Sequence, residues 1–277
     1  MEYSDNRRRI RVPPRLIIGG IIALLAVLGY FANSSKNPVT GRTQHISLTP
    51  QQEVVLGLQS APEMAREFGG LSSDHAAAAH VKRVGEQLVA RLPPEATPYP
   101  FEYHLLADST TVNAFALPGG QIFITEALFS RLETEGQLAG VLGHETGHVL
   151  ARHSAAQMAK NQLTQGLIQA VGVAGSDTAQ GAQNAAQIAQ LVGNFIQLKY
   201  GRDDELEADR LGLQFMVASD YDPRSMNRVM EILRQASGGS GQPQFMSTHP
   251  DPGNRIQHIE AWIQRSFPEG VPDSLKK

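Results

Sequence analysis

The segment "GHETGHVLARH", residues 143–153, is the most informative part of this chain, because it places three histidines and one glutamate in an otherwise apolar region. The residues before it are rich in Leu, Val, Ala and Gly, which is typical of a buried helix. His144 and His148 are four positions apart, so on a helix they project from one face, one turn apart. Two imidazoles in that arrangement can bind one divalent metal ion, and zinc favours nitrogen ligands.

Glu145 follows the first of these histidines directly, so it lies about 100° further round the helix. That position suits a group that accepts a proton from the attacking water better than it suits a ligand, which is the logic of the H-E-x-x-H motif. His153 comes five residues after His148, and we expect it to point elsewhere, with a surface or helix-end role. The motif predicts His144 and His148 as metal ligands and Glu145 as a catalytic residue.

Three glycines accompany the histidines on the same predicted helix. Gly140, Gly143 and Gly147 fall at positions i, i+3 and i+7. Each costs about 1 kcal/mol relative to alanine in a helix interior, so a packing reason is expected. A smooth stripe lets a second helix approach closely, as a metal site with ligands from two helices requires.

The second helix is predicted in "YGRDDELEADRLGLQFM", residues 200–216, which is acidic at its start and apolar later. Acids are favourable at the positive N-terminal end of a helix. Glu205 is predicted as the third metal ligand. Asp209 lies one turn further on, where it can hydrogen-bond a ligand histidine and hold its orientation. Glu207 points away from that face, and we expect it to be solvated.

Composition limits the other functions of the chain. With 277 residues and 41% hydrophobic residues, the chain can form one large domain or two small ones. A net charge of −3 gives no reason to expect nucleic-acid binding. The chain contains no cysteine, which excludes a disulfide framework.

The N-terminal part predicts a membrane anchor. Residues 16–32 contain no charged side chain, and five arginines precede them. A helix of this length covers roughly 25 Å, a little less than a bilayer core. The positive-inside rule places residues 1–15 in the cytoplasm and exports the rest. Residues 33–48 are then predicted as a tether and residues 49–277 as the catalytic domain. A cleaved signal peptide and a soluble helix are the alternatives.

The remaining pattern predicts a mainly helical α+β fold. Three short runs, "FEYHLLA", "TVNAFALP" and "QIFIT", are rich in aromatic and β-branched residues, and we expect them to form a small antiparallel sheet. Residues 162–198 are rich in Ala, Gly, Gln and Leu. They fit either a helical hairpin packed on the domain or a mobile hairpin that faces the membrane or covers the site.

Several blocks of the chain resemble one zinc metallopeptidase family. They are "HETGH" with the later "GRDDELEADRLG", together with "NPVTGR", "NAFALPGG" before "QIFIT", and "STHPDPGNRI". The family includes HtpX, BepA, a mitochondrial inner-membrane quality-control protease and the CAAX prenyl endoproteases. The resemblance covers residues 37–256 and implies a zincin fold of the gluzincin type, one zinc ion per chain and proteolysis. The single candidate span resembles the exported, BepA-like branch.

Two further roles follow from the resemblance. His249 in "STHPDP" resembles the family's late histidine, which can donate to the oxyanion of the tetrahedral intermediate or sit on the metal and close the site. It follows a glycine-rich run, residues 238–244, that we expect to move. Residues Asn113, Ala114, Phe115 and Ala116 would line the substrate as an added strand. A loop histidine without a role and a plain core strand are the alternatives.

Two hypotheses about function remain open at this point. The first is a zinc endopeptidase anchored in the bacterial inner membrane, with its catalytic domain in the periplasm, that acts on unfolded or misassembled proteins. The second is a chaperone-like protein of the same fold with a latched, weakly active site. The intact H-E-x-x-H motif with a third carboxylate favours the enzyme.

Overall fold

The computed structural model describes residues 13–92, 99–175, 200–236, 244–250 and 253–277. The predicted mainly helical fold with small sheets is confirmed. The helices are α1 (Pro14–Ala32), α2 (Pro50–Glu67), α3 (His75–Val89), α4 (Glu126–Phe129), α5 (Glu135–Leu150), α6 (His153–Gly175), α7 (Arg202–Ala218), α8 (Ser225–Ala236), α9 (Gln244–Thr248) and α10 (Arg255–Ser266). The strands are β1 (Ser34–Lys36), β2 (Thr43–His45), β3 (Glu102–Leu106), β4 (Ala114–Ala116) and β5 (Gln121–Thr125).

The three predicted strands form a mixed sheet in the order β3-β5-β4. β4 and β5 make an antiparallel hairpin, whose turn contains Gly119 and Gly120 at φ of 82° and 105°. β3 pairs with the other edge of β5 and runs parallel to it. The prediction of an antiparallel sheet was therefore wrong for this pair. The hydrophobic runs identified the strands, but the side of β5 on which β3 docks depends on the path of the chain.

Helix α5 lies at the centre of the molecule, and every residue from Gly136 to Leu150 is buried. Its start is capped by Thr134, whose side chain accepts a hydrogen bond from the backbone of Gln137. Because the helix is covered all round, its polar side chains must find partners inside the protein.

Helices α5 and α7 approach each other closely along part of the glycine stripe. A Cβ atom on Gly147 would lie 2.9 Å from the carbonyl oxygen of Ala208, and one on Gly143 would lie 3.3 Å from Gly212. The predicted close contact between the two site helices is confirmed. Gly140 lies further along and faces Met226 and Val229 of α8 instead, so the stripe contacts two helices.

Helix α1 is, by length and composition, the one described helix that could cross a membrane. Most of its large apolar side chains are exposed. One of its faces packs along α6, where a Cβ on Gly166 would meet Ala26 at 2.8 Å. Residues 162–170 of the Ala/Gln-rich segment therefore lie beside α1, while residues 176–199 are outside the described part of the chain. The predicted tether contains the β1–β2 hairpin.

Candidate metal centre

Four side chains that can bind a metal ion lie together in the interior. They are His144 and His148 of α5, Glu205 in the first turn of α7, and His249 just after α9, and one ligand atom of each lies within 4.8 Å of the others. The Nε2 atoms of the two α5 histidines are 3.1 Å apart. Oxygens of Glu205 lie 3.5 Å from each of them. The structure thus brings the three predicted ligands together and adds His249.

The chemistry of this group fits a divalent metal ion. Three imidazoles and one carboxylate are the donor set that tetrahedral zinc accepts. Polar atoms of two side chains at the site also lack partners: both oxygens of Glu145 and the Nε2 atom of His249 find no hydrogen bond among the described residues. Unsatisfied polar atoms at a fully buried position are rare in proteins, so a bound group or water is expected there.

Burial dominates the pKa shift of two side chains at the site, His148 and Glu145. At His144, by contrast, the hydrogen bonds with Asp209 and Glu205 outweigh burial and raise the pKa to about 9. Burial lowers the pKa of His148 well below its ordinary value, although Glu205 opposes this effect. The neutral imidazole that results is the form that binds metal. Burial also raises the pKa of Glu145, against the nearby His249 and His144. A carboxylate with a raised pKa is a stronger base, which suits a group that accepts a proton from water.

The predicted support of His144 is present in the structure. Its Nδ1 atom lies 2.9 Å from Asp209 Oδ1. The guanidinium of Arg255, at the start of α10, donates to both oxygens of Asp209 at 2.7 and 2.5 Å. Although burial would raise the pKa of Asp209, Arg255 and the hydrogen bond from His144 lower it. Sequence reasoning missed Arg255, and its presence in the "STHPDPGNRI" block was the one available signal.

His153 and Glu207 lie inside the protein, so the expected surface position of His153 and the expected solvation of Glu207 were wrong. They are 2% and 8% exposed. The helical period does not carry from His148 to His153, because Arg152 adopts a left-handed φ of 57° and separates α5 from α6. Glu207 faces away from the metal cluster as predicted, but that side of α7 is covered by the β1–β2 hairpin, from which Arg42 donates to it at 2.9 Å.

His249 lies against the metal cluster rather than in an open loop. It is fully buried, and its ring stacks on Phe245 with centroids 4.4 Å apart. Its Nδ1 atom lies 3.1 Å from Glu205 Oε1, and its Nε2 atom lies 3.6 Å from Glu145 Oε1. The glycine-rich run before it, predicted to be mobile, lies outside the described residues apart from Gln244. The position of His249 is compatible with a ligand as well as with a donor beside the reacting atoms.

The candidate substrate strand is β4, at the edge of the three-stranded sheet. Asn113, Ala114 and Ala116 are buried, and the sheet packs on α5 at this point. Phe115 points to the other side and stacks on Phe123 with centroids 5.0 Å apart. Within the described residues, β4 pairs only with β5, so its outer backbone edge is unpaired in the sheet. An extended peptide could add there.

Comparison with known proteins agrees with this arrangement. The model of peptidase family M48 matches residues 75–263. The chain is 32% identical over 251 residues to the mitochondrial metalloendopeptidase OMA1 of Schizosaccharomyces pombe, covering 89% of this chain and 71% of that protein. It is also 32% identical over 233 residues to the beta-barrel assembly-enhancing protease of Escherichia coli K12, covering 82% of this chain and 47% of that protein. The chain thus spans about half the length of the bacterial relative.

Proposed function

Because the chain belongs to peptidase family M48 and is a metallopeptidase, we propose that it cleaves unfolded or misassembled proteins with one zinc ion held by His144, His148 and Glu205. The observation that carries this proposal is the buried cluster of imidazoles and a carboxylate beside an unpartnered glutamate. The family resemblance noted in the sequence is confirmed. The identity of the metal and the role of each residue are part of the proposal.

The proposed chemistry divides between the metal and Glu145. Zinc would supply the positive charge that polarises the peptide carbonyl and increases the acidity of water. Glu145 accepts the proton of the attacking water and delivers it to the leaving amine. Its carboxylate is fully buried, with Oε1 3.6 Å from His249 Nε2, so bulk solvent is excluded around it. Asp209 and Arg255 keep the His144 ring oriented throughout.

The substrate is proposed to bind along β4 in an extended form. Asn113, Ala114, Phe115 and Ala116 would line the substrate, and backbone hydrogen bonds to the unpaired edge of β4 would recognise an exposed strand rather than a particular sequence. Folded proteins seldom offer such a strand, whereas unfolded and unassembled proteins do. This selection fits quality control, and it agrees with the bacterial relatives, which are named for enhancing beta-barrel assembly.

We place the protein in the bacterial inner membrane, with α1 as the single span and the catalytic domain on the periplasmic side. Support comes from the apolar helix α1, from the arginines before it and from the positive-inside rule. The bilayer and the substrate protein are the partners of this proposal, and nucleic acid is not among them.

The second candidate function is a latched protein whose site is closed at rest. It is favoured by one observation, which is that His249 lies at the ligand cluster, with Nδ1 3.4 Å from His144 Nε2. Catalytic zinc sites keep three protein ligands and one open position, so a fourth protein ligand would close the site. The same chain could then hold proteins without cutting them until His249 withdraws.

The test of the proposed function uses the purified full-length protein in detergent and an unfolded reporter protein. We expect about one zinc per chain, loss of cleavage on chelation and recovery on adding zinc. Fragment proteomics in cells with wild type or Glu145→Gln would then identify the substrates. Cleavage that survives complete metal removal would refute the proposal.

A further inference from the structure

The ring of His148 has one nitrogen in the metal cluster and one outside it. Its Nε2 atom lies 3.1 Å from His144 Nε2 and 3.5 Å from Glu205 Oε1. Its Nδ1 atom points the other way and lies 2.9 Å from Nδ1 of His153. A neutral imidazole that binds a metal through Nε2 carries its proton on Nδ1. That proton is therefore available to His153.

His153 can accept the hydrogen bond from His148 and donate one of its own to a carboxylate. If its Nδ1 atom accepts, its own proton resides on Nε2, which lies 3.1 Å from Glu207 Oε2. The same carboxylate oxygen accepts from Arg42 Nη1 at 2.9 Å. Each donor in this series faces an acceptor, so the tautomers of both rings are defined without conflict. His153 and Glu207 are buried, and the side chain of Arg42 is 46% exposed.

Arg42 is held in place by the hairpin that follows α1. Asn37 of this hairpin donates to the carbonyl oxygen of Leu150 at 2.9 Å, and Gln44 donates to that of Ala151 at 2.6 Å. These are carbonyls at the C-terminal end of α5, which have no partner within the helix. The Asn37 side chain also accepts from the backbone of Val39 at 2.8 Å, which orders the turn before Arg42. The hairpin therefore contacts both helices that carry the candidate ligands.

We propose that His153, Glu207 and Arg42 are positioning residues that orient the His148 ring for metal binding, and that the β1–β2 hairpin is thereby part of the metal centre. The inference rests on the proposed function, since it takes His148 as a ligand. The two histidines of α5 then have matching supports. His144 contacts the carboxylate of Asp209, which Arg255 holds. His148 contacts His153, which contacts the carboxylate of Glu207. Arg42 of the β1–β2 hairpin, which follows α1, holds that second carboxylate.

The chain offers a matched control for Arg42. Arg210 also faces Glu207, and its side chain is 42% exposed. It contacts the other carboxylate oxygen, Oε1, at 3.8 Å, which is too long for a hydrogen bond. Arg210→Gln therefore removes the same charge at similar exposure, but it leaves intact the hydrogen bonds that connect Arg42, Glu207, His153 and His148.

The experiment measures the metal affinity of the full-length protein by competition with a chelator, using Zn²⁺ and, as a spectroscopic probe, Co²⁺. We expect His153→Ala to lower the affinity by roughly 10- to 100-fold and to change the visible spectrum of the cobalt protein. Arg42→Gln should lower the affinity by a smaller factor, Arg42→Lys should restore part of it, and Arg210→Gln should leave it unchanged. In the His153→Ala background, Arg42→Gln should have no further effect, because the two act through one series.

The outcomes separate this inference from the proposed function. Wild type that binds no metal would refute the proposed function itself. Wild type that binds metal while His153→Ala and His153→Gln bind it equally well would overturn the inference alone. If the losses of metal affinity caused by Arg42→Gln and His153→Ala are fully additive in the double variant, the two residues do not act through Glu207. That result would overturn the link between them. A purely structural contribution would lower the melting temperature of the metal-free protein without changing the chelator competition.

Discussion

Among single side chains, Glu145 and His249 are the two whose environment points most directly to chemistry. Both are fully buried, and each has a polar atom without a hydrogen-bond partner among the described residues. Burying such an atom costs on the order of 1–3 kcal/mol. Such unfavourable groups cluster at functional sites, where they act on a bound group. We therefore make the most specific predictions for these two positions.

Glu145→Gln should abolish proteolysis while leaving metal binding intact. The substitution keeps the shape of the side chain but removes the base that accepts a proton, which contributes roughly 100- to 10,000-fold to the rate. Steady-state cleavage of one unfolded substrate, at matched zinc content, measures the effect. His148→Ala is the comparison, because it should lose both metal and activity. Loss of zinc from Glu145→Gln would mean that Glu145 is itself a ligand.

His249→Ala should raise basal proteolysis if His249 holds the fourth position at the metal. Its Nδ1 atom lies 3.1 Å from Glu205 Oε1, beside the candidate ligands. If His249 instead donates to the oxyanion, kcat should fall by roughly 100-fold or more at unchanged zinc content. The rate of cleavage of an unfolded substrate decides between the two roles. An unchanged rate would remove His249 from the mechanism altogether.

The packing of helix α5 against helix α7 sets the distance between the candidate ligands. The histidines come from one helix and Glu205 from the other, and glycines allow the two backbones to approach. A metal centre tolerates only small displacements of its ligands, since metal–ligand distances are near 2 Å. Small residues at this contact are therefore expected to matter for metal binding as well as for stability.

Gly147→Ala should destabilise the protein although alanine is the better helix former. The added Cβ would lie 2.9 Å from the backbone oxygen of Ala208, which cannot turn aside as a side chain would. Overpacking of this kind costs about 1–3 kcal/mol and should also weaken metal binding by separating the helices. Thermal unfolding and chelator competition measure both effects. Gly29→Ala is the control, because no atom lies within 4 Å of its added Cβ.

For the chain as a unit, the metal is expected to contribute to stability. The candidate ligands come from α5, α7 and the segment after α9, so a metal ion would cross-link three elements distant in sequence. A ligand that binds only the native state stabilises it by about 2.7 kcal/mol at a hundred times its Kd. Chelation should therefore lower the melting temperature by roughly 5–10 °C. Glu145→Gln should show the same shift, and an equal Tm with and without metal would contradict it.

The topology of the anchor can be tested by cysteine labelling, because the chain has no cysteine of its own. In intact spheroplasts, a membrane-impermeant maleimide should label Ser73→Cys, an exposed position on the domain. Ser4→Cys should react only after lysis, because the positive-inside rule keeps that end in the cytoplasm. Labelling of both sites without lysis would contradict a membrane span. Mature protein that lacks residue 4 would indicate a cleaved signal instead.

Features that depend on one helix at a time could be predicted from the amino-acid sequence. His144, Glu145 and His148 follow from the helical period, and the spacing of Glu205 and Asp209 follows from the same geometry. Residues on one helix have fixed relative positions whatever packs around them. The family and the metallopeptidase activity could be recognised from such local motifs, and both are confirmed.

Contacts between groups on separate elements could be found only in the folded structure. Arg255 binds Asp209, and the hairpin residue Arg42 binds Glu207, over long sequence separations that no period encodes. His153 turns inward because Arg152 adopts a left-handed conformation, which ends the helical register. The parallel pairing of β3 with β5 depends likewise on the path of the chain. Such contacts are set by the packing of whole elements, and a buried polar group can find its partner only after those elements have docked.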